Sequence, residues 1–206
     1  MPANLVILST FNVFAKMSSH HVVKEDQEPA LIMADAGAVP VTVVEQLLEW
    51  SPTVIVLEAA LEPVMDSGIK FDVLVSTLNN VKAHVVNLAG YAPLKILSHQ
   101  PGDRPLDTAL MFLLASKYRS VNVVGVAPDA FISPVTDLDI VTFYNGLRWS
   151  FVRSGRFEKW LKKGIELRFI SQHNLIKQGL VDNVVQDEGL VTIAGNTSFW
   201  VGEPYA

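Results

Sequence analysis

The stretch Thr53–Thr77 reads TVIVLEAALEPVMDSGIKFDVLVST, and its pattern decides the fold. Two continuous apolar runs, Thr53–Glu58 and Phe71–Ser76, flank a short helical segment, Ala59–Ser67, which Gly68 ends. Runs this short and this uniformly apolar suit strands buried on both faces, as in a parallel sheet. Similar runs occur at Ala30–Ala34, Ala83–Leu88, Leu94–Leu97 and Val121–Val126, and all are expected to be strands. Helical patterns lie between some of them. Val41–Trp50 puts Val44, Leu47 and Leu48 on one side, with Pro40 before it and Ser51–Pro52 as a stop. Leu106–Tyr118 places Leu106, Leu110, Leu113 and Leu114 at helical spacing, with Lys117 and Arg119 near its end to suit the dipole. Strand alternating with helix predicts an α/β architecture for the first two-thirds of the chain.

The pattern changes after Pro128, and Ser133–Pro134 marks a break. Ile140–Tyr144, Leu147–Val152, Ile165–Ser171, Leu190–Ala194 and Phe199–Gly202 read as β segments separated by turns. Asn145–Gly146 between two apolar runs is a hairpin signal. The expected organisation is an α/β domain over residues 1–140 and a small antiparallel β domain over 141–206.

Composition narrows the function. Of 206 residues, half are hydrophobic and 18% charged, so a substantial core forms and part of the surface is expected to face a partner subunit. Lys plus Arg number 16 and Asp plus Glu 21, a net charge of −5, which argues against nucleic-acid binding because phosphate neutralisation needs clustered cations. The absence of cysteine excludes disulfides, thiolate nucleophiles and cysteine metal sites, and suits a cytoplasmic location. No run of about 18 apolar residues is present, so no membrane span is expected. The opening MPANLVILSTFNVFAKM has no basic residue before its apolar stretch and is expected to be an ordinary strand, helix or docking arm.

Ligands of open α/β sheets bind at the carboxyl ends of strands. Asp35 and Glu58 each follow a predicted strand, where helix capping is the competing role. Ser76–Thr77–Leu78–Asn79–Asn80 is an uncharged strand exit able to hydrogen-bond a ligand, without the anionic oxygens that magnesium favours. Gln100–Thr108 runs into a helix. Arg104 there can pair with phosphate, or Asp103 or Asp107 can cap the helix with Pro105 in its first turn. His20–His21 points in diverging directions, and His84, His99 and His173 are scattered, which fits structural roles. Trp149, Trp160 and Trp200 can stack on an aromatic ligand, but core packing is the commoner role.

On these residues, in this order, the chain resembles the thiamine pyrophosphokinase family from about Glu28 to Glu203. The likeness is greatest in Leu47–Val75, Leu106–Val126, Phe157–Gly164 and Gln186–Ile193. The resemblance implies a Rossmann-like, mostly parallel sheet followed by a small β-sandwich, a homodimer, and transfer of pyrophosphate from ATP to thiamine with magnesium. The family's functional motifs are eroded here. Glu58–Ala59–Ala60 stands where the family has Asp-Gly-Gly or Asp-Gly-Ala. Val75–Asn79 stands where it has Gly-Asp-x-Asp, so both acids are gone. Arg104–Pro105 replaces its Thr-Asp pair. Asp129–Ile132 lacks the Arg and His of Arg-x-Asp-His, and Asp182–Asn183–Val184 keeps only the asparagine of Ser-Asn-Glu. The implied ligand-binding positions are Glu58, Ser76, Thr77, Asn79, Asp103, Arg104 and Asn183. No residue is assigned as catalytic or as a metal ligand. Pyrophosphoryl transfer rests on charge neutralisation, so losing the acids predicts a family-like protein without catalysis that keeps a thiamine or nucleotide pocket. Two other readings stand beside it. One is an active thiamine diphosphokinase using ATP and magnesium, in which Glu58 converges on a metal with Asp35, Asp103 or Asp107. The other is a dimeric scaffold whose pocket is filled.

Overall fold

A computed structural model describes residues 28–131 and 137–205. The N-terminal stretch, His20–His21 and the Ser133–Pro134 break lie outside the described residues. The first half alternates as expected: β1 (Ala30–Met33), α1 (Val41–Leu48), β2 (Val54–Leu57), α2 (Leu61–Asp66), β3 (Val73–Ser76), α3 (Leu78–Leu88), β4 (Lys95–Ser98), α4 (Pro105–Ala115) and β5 (Ser120–Val124). The second half is β6 (Asp139–Tyr144), β7 (Leu147–Val152), β8 (Arg156–Leu161), β9 (Arg168–Ile170), β10 (Ile176–Gln178), β11 (Leu180–Val181), β12 (Val184–Val185), β13 (Gly189–Ala194) and β14 (Phe199–Pro204).

The main sheet has the order β4-β3-β2-β1-β5-β6-β7-β14-β9. From β4 to β6 every pairing is parallel, and beyond β6 every pairing is antiparallel. The chain winds outward from β1 to β4, then returns through α4 to place β5 on the other side of β1. Right-handed crossovers then put α1, α2 and α3 on one face and α4 on the other. Side chains alternate accordingly. Leu31, Met33, Val54 and Val56 meet Val43, Val44, Leu61, Val64 and Leu88. Ala30, Ile32, Ile55 and Val123 meet Leu106, Ala109, Leu110 and Leu113 of α4. Burying a leucine such as Leu113, which is fully covered, contributes about 1.5–3 kcal/mol. The sheet runs on across residues 140 and 141, because β6 pairs with β5 through Val121 and Ile140.

A second sheet, β10-β13-β8, packs on the antiparallel end of the first. Val152, Phe199 and Val201 from one sheet and Leu161, Val191 and Ile193 from the other form its core. The Asn145–Gly146 hairpin forms as expected, both residues having positive φ.

Two expectations are corrected. Ala83–Leu88 is the second half of α3, not a strand. The Thr77 side chain caps that helix by accepting from the Asn80 N–H, and Val81 and Leu88 turn inward at helical spacing. The misleading β-branched pair, Val85 and Val86, lies on the exposed side. Trp160 is exposed against Leu190 on the outer face of the second sheet, whereas Trp149 and Trp200 are buried as expected.

The Glu203 carboxylate ties the two sheets together. It accepts from Arg148 Nη1 at 2.9 Å on the neighbouring strand and from Lys159 Nζ at 2.6 Å on β8. Glu203 is nearly buried while its partners are half exposed, so a neutral amide loses much of the attraction. Glu203→Gln is expected to lower stability by about 1–3 kcal/mol in chemical denaturation. Gly125, just past β5, has φ +87°, and an added Cβ would lie 2.5 Å from Asp35 Cβ. Gly125→Ala combines left-handed strain with overpacking, and a loss of about 3 kcal/mol or more is expected in the same measurement.

Candidate functional site

The strand order reverses between β1 and β5, and an open α/β sheet has its ligand crevice at the carboxyl ends beside such a reversal. Here that crevice is narrow. The Asp35 backbone presses on Gly125, and the Asp35 N–H donates to the Val124 carbonyl at 3.2 Å. The Asp35 carboxylate accepts from the Gly37 N–H at 2.9 Å, so it caps the short turn after β1. The polar groups that converge lie one to three strands further along, at the ends of β2, β3 and β4.

Glu58 follows β2 directly. Its Oε2 accepts from the Ser76 hydroxyl at 2.9 Å and from the Thr77 N–H at 2.7 Å. Asn80 Nδ2 donates to Ser76 Oγ at 3.1 Å. Register explains the meeting: Leu57 pairs with Val75 and Ser76 with Ser98, so Glu58, Ser76–Thr77 and His99 emerge side by side. His99 is 93% buried by side chain, the complement of its 7% exposure, and its Nε2 stands 3.7 Å from Glu58 Oε2. His99 Nδ1 lies 3.0 Å from the Gln100 carbonyl, which can only accept, so Nδ1 carries a proton. A neutral ring then turns a lone pair toward a carboxylate, and Nε2 has no hydrogen-bond partner. A second proton on Nε2 would supply Glu58 with a counter-ion. Burial alone would raise the Glu58 pKa. The Thr77 N–H, the hydroxyls of Ser76 and Thr77, and the charge of a protonated His99 outweigh burial and hold the carboxyl below its ordinary range.

The other expected positions divide. Ser76 and Thr77 join Glu58. Asn79 is exposed on the first turn of α3, and its neighbour Asn80 makes the contact instead. Asp103 accepts from the Gln100 N–H at 3.0 Å and closes a turn ahead of α4. Arg104, not an aspartate, occupies the cap position of α4. It donates to the Ala130 carbonyl and pairs with Asp107 at 3.6 Å, while Pro105 sits in the first turn as expected. Asn183 belongs to the β11–β12 turn, where its side chain accepts from Lys177 at 2.7 Å. None of its hydrogen bonds reaches the Glu58 cluster. Sequence reasoning missed His99 as a site member, while Asn80 belongs to the strand exit read as able to hydrogen-bond a ligand. The parallel pairing of β3 with β4 carries His99 to the site, and His99 forms no motif with Glu58 along the chain.

A magnesium ion of the kind the resemblance implies does not fit these residues. Glu58 is the one carboxylate in the cluster, two donors already occupy its Oε2, and His99 faces the same oxygen. Among the described residues no group of three His, Asp or Glu side chains could hold a metal. Asp72, at the opposite end of β3, accepts from the Val54 N–H at 2.8 Å and supplies nothing here.

An open, mostly parallel sheet continued at one end by an antiparallel β-sandwich defines the fold class. Among solved structures the chain is similar to thiamine pyrophosphokinase from Bacillus subtilis, with TM-score 0.64 and 13% identity over 85% of this chain and 98% of that one. It is also similar to the enzyme from Candida albicans, at 0.64 and 7% over 89% and 91%, and to a probable thiamine pyrophosphokinase from Staphylococcus saprophyticus subsp. saprophyticus, at 0.60 and 14% over 86% and 99%. No protein-family model matches the chain, and no curated protein matches its sequence. The chain has the thiamine pyrophosphokinase fold. No helix among the described residues is long and apolar enough to cross a membrane.

Because its folded pKa is depressed, Glu58 stabilises the fold above the ordinary glutamate pKa and loses that contribution as pH falls through the depressed value. The stability difference between the wild type and Glu58→Gln is therefore expected to be largest near neutrality and to vanish in strong acid. Urea denaturation of both proteins across that range measures it.

Proposed function

We propose that this chain is a thiamine pyrophosphokinase-like protein that does not catalyse metal-dependent pyrophosphoryl transfer and that keeps its strand-end crevice as a binding pocket for thiamine or a nucleotide. The observation that carries the reading is the state of Glu58. Transfer of a pyrophosphoryl group needs positive charge, usually metal-borne, to neutralise the phosphate oxygens as the bond to the leaving group loosens. The single carboxylate here is engaged by Ser76, Thr77 and His99 and adds negative charge where phosphates would sit. Asn80, Ser76 and Thr77 offer neutral donors and acceptors instead, which suit a polar ring or sugar.

The proposed assembly is a homodimer. Leu78, Val85 and Val86 on α3 and Ile96 on edge strand β4 are exposed, the kind of apolar surface that a second copy would cover.

Incubation of the protein with ATP, magnesium and thiamine is expected to give no AMP above the protein-free rate. Melting is expected to shift upward with thiamine or with ATP, with the same shift in the presence of a chelator. A ligand at about 100 times its dissociation constant stabilises by roughly 2.7 kcal/mol. Sustained AMP formation that depends on magnesium would show the active thiamine diphosphokinase instead. A dimer whose melting responds to neither ligand would leave the filled-pocket scaffold.

A further inference from the structure

The edge of the parallel sheet is held by a contact that lacks one proton. β4 is the outermost strand, and its ladder runs to β3. At its amino end the Lys95 N–H donates to the Asp72 carbonyl at 2.9 Å, whereas past its carboxyl end the His99 N–H reaches the Ser76 carbonyl at 3.4 Å. The carboxyl end is the looser of the two. It leads into the turn that Asp103 closes on the Gln100 N–H, and from there into α4.

The His99 side chain is placed to fasten this end. It is buried, and it reaches toward Glu58 at the exit of β2, with β3 between the two strands. The neutral ring does not fasten it. Nδ1 spends its proton on the Gln100 carbonyl, so Nε2 turns a lone pair to Glu58 Oε2 at 3.7 Å and has no hydrogen-bond partner. Two acceptors face each other where water does not reach, an arrangement that costs free energy. A proton on Nε2 removes both defects, because Nε2–H then donates to Oε2 and the ring's charge meets the carboxylate. Charge-assisted bonds of this kind are about 2.7–2.9 Å long, so the contact closes by roughly 0.8 Å. Movement of His99 toward β2 is also movement toward β3, and it tightens the long rung to Ser76.

The charges around the ring leave this pairing to Glu58. From β3 and the first turn of α3 come Ser76, Thr77 and Asn80, all uncharged. Ahead of α4, Asp103 is turned to Gln100, while Arg104 and Asp107 pair at 3.6 Å. On β4 itself, Lys95 lies at the far end over the Phe112 ring. An imidazole changes charge between about pH 8 and about pH 5. Glu58 stays ionised through that range, since its hydrogen bonds outweigh burial and hold its carboxyl low.

We propose that His99 is a proton-operated latch on the edge of the sheet: a proton on Nε2 binds it to the Glu58 carboxylate and fastens the carboxyl end of β4 with the turn that follows, and loss of that proton releases them. The latch closes as pH falls through the imidazole range and reopens in strong acid, when Glu58 itself is protonated. It rests on the geometry of the cluster and not on what the crevice binds.

The test is NMR of the full chain without ligand, with the His99 ring assigned from the spectrum of His99→Gln. Between about pH 8 and about pH 6 the ring is expected to pass from Nδ1–H alone to a form with a second, solvent-protected Nε2–H. Over the same interval the protection of the His99 amide against hydrogen exchange, corrected for its intrinsic chemical rate, is expected to rise roughly tenfold, while that of Lys95 changes less than about twofold. Glu58→Gln, which keeps the size of the side chain and removes its charge, is expected to abolish the rise at His99. A ring that gains no protected Nε2–H overturns the proposal, as does a rise of equal size at Lys95, which would mark a change in global stability. A rise at His99 that survives Glu58→Gln overturns it too. The two wild-type readings decide the matter by themselves if that variant does not fold.

Discussion

The structure depends on β1. All four of its residues, Ala30 to Met33, are fully buried, so both edges and both faces must be covered by the protein itself. Parallel pairing with β2 and β5 satisfies its backbone groups. Its alternating side chains divide the core into one half filled by α1 and α2 and another filled by α4. The reversal of winding, and with it the placing of every loop at the carboxyl edge, follows from β1 being central. The close approach of Asp35 to Gly125 is the local consequence, since two chains leaving adjacent strands in opposite directions have little room between them.

Where the strands end, the chemistry is set by the economy of buried charge. A carboxylate beside the ends of three strands needs donors, and Glu58 finds them in Ser76, Thr77 and the neighbourhood of His99. The network is complete without a metal. Additional acids at Ser76 or Asn80 would place like charges against Glu58 and would require a cation to hold them. The absence of a second acid beside Glu58 and the internal satisfaction of Glu58 are therefore two sides of one arrangement.

The sequence was most legible where burial is two-sided. Val54–Leu57 and Val73–Ser76 admit few other conformations, and they lie in the middle of the sheet. Reading failed at Ala83–Leu88, because β-branched side chains facing solvent from a helix resemble a strand in one dimension. It was silent on β8, whose half-buried RFEKWL pattern lacks a continuous apolar run. Of the site, Glu58, Ser76 and Thr77 were visible as a strand exit. His99 was not, since its place beside Glu58 is created by the β3–β4 pairing, a contact that no local pattern specifies. The aromatic cluster was equally hidden: the β7–β14 pairing brings Phe151 against Trp200, and the chain after β5 adds Phe131.

Conservation of this fold at 7–14% identity has a physical basis in the difference between packing and chemistry. A parallel core asks only for apolar residues of suitable volume on alternating faces, a demand that many sequences meet. Phosphoryl chemistry asks for named atoms within hydrogen-bond reach of a reacting group. A fold can therefore persist through substitutions that such chemistry would not tolerate. The loop following β5 is held in this undemanding way: Arg104 at the start of α4 anchors it through the Ala130 carbonyl, a backbone group that any residue at 130 supplies.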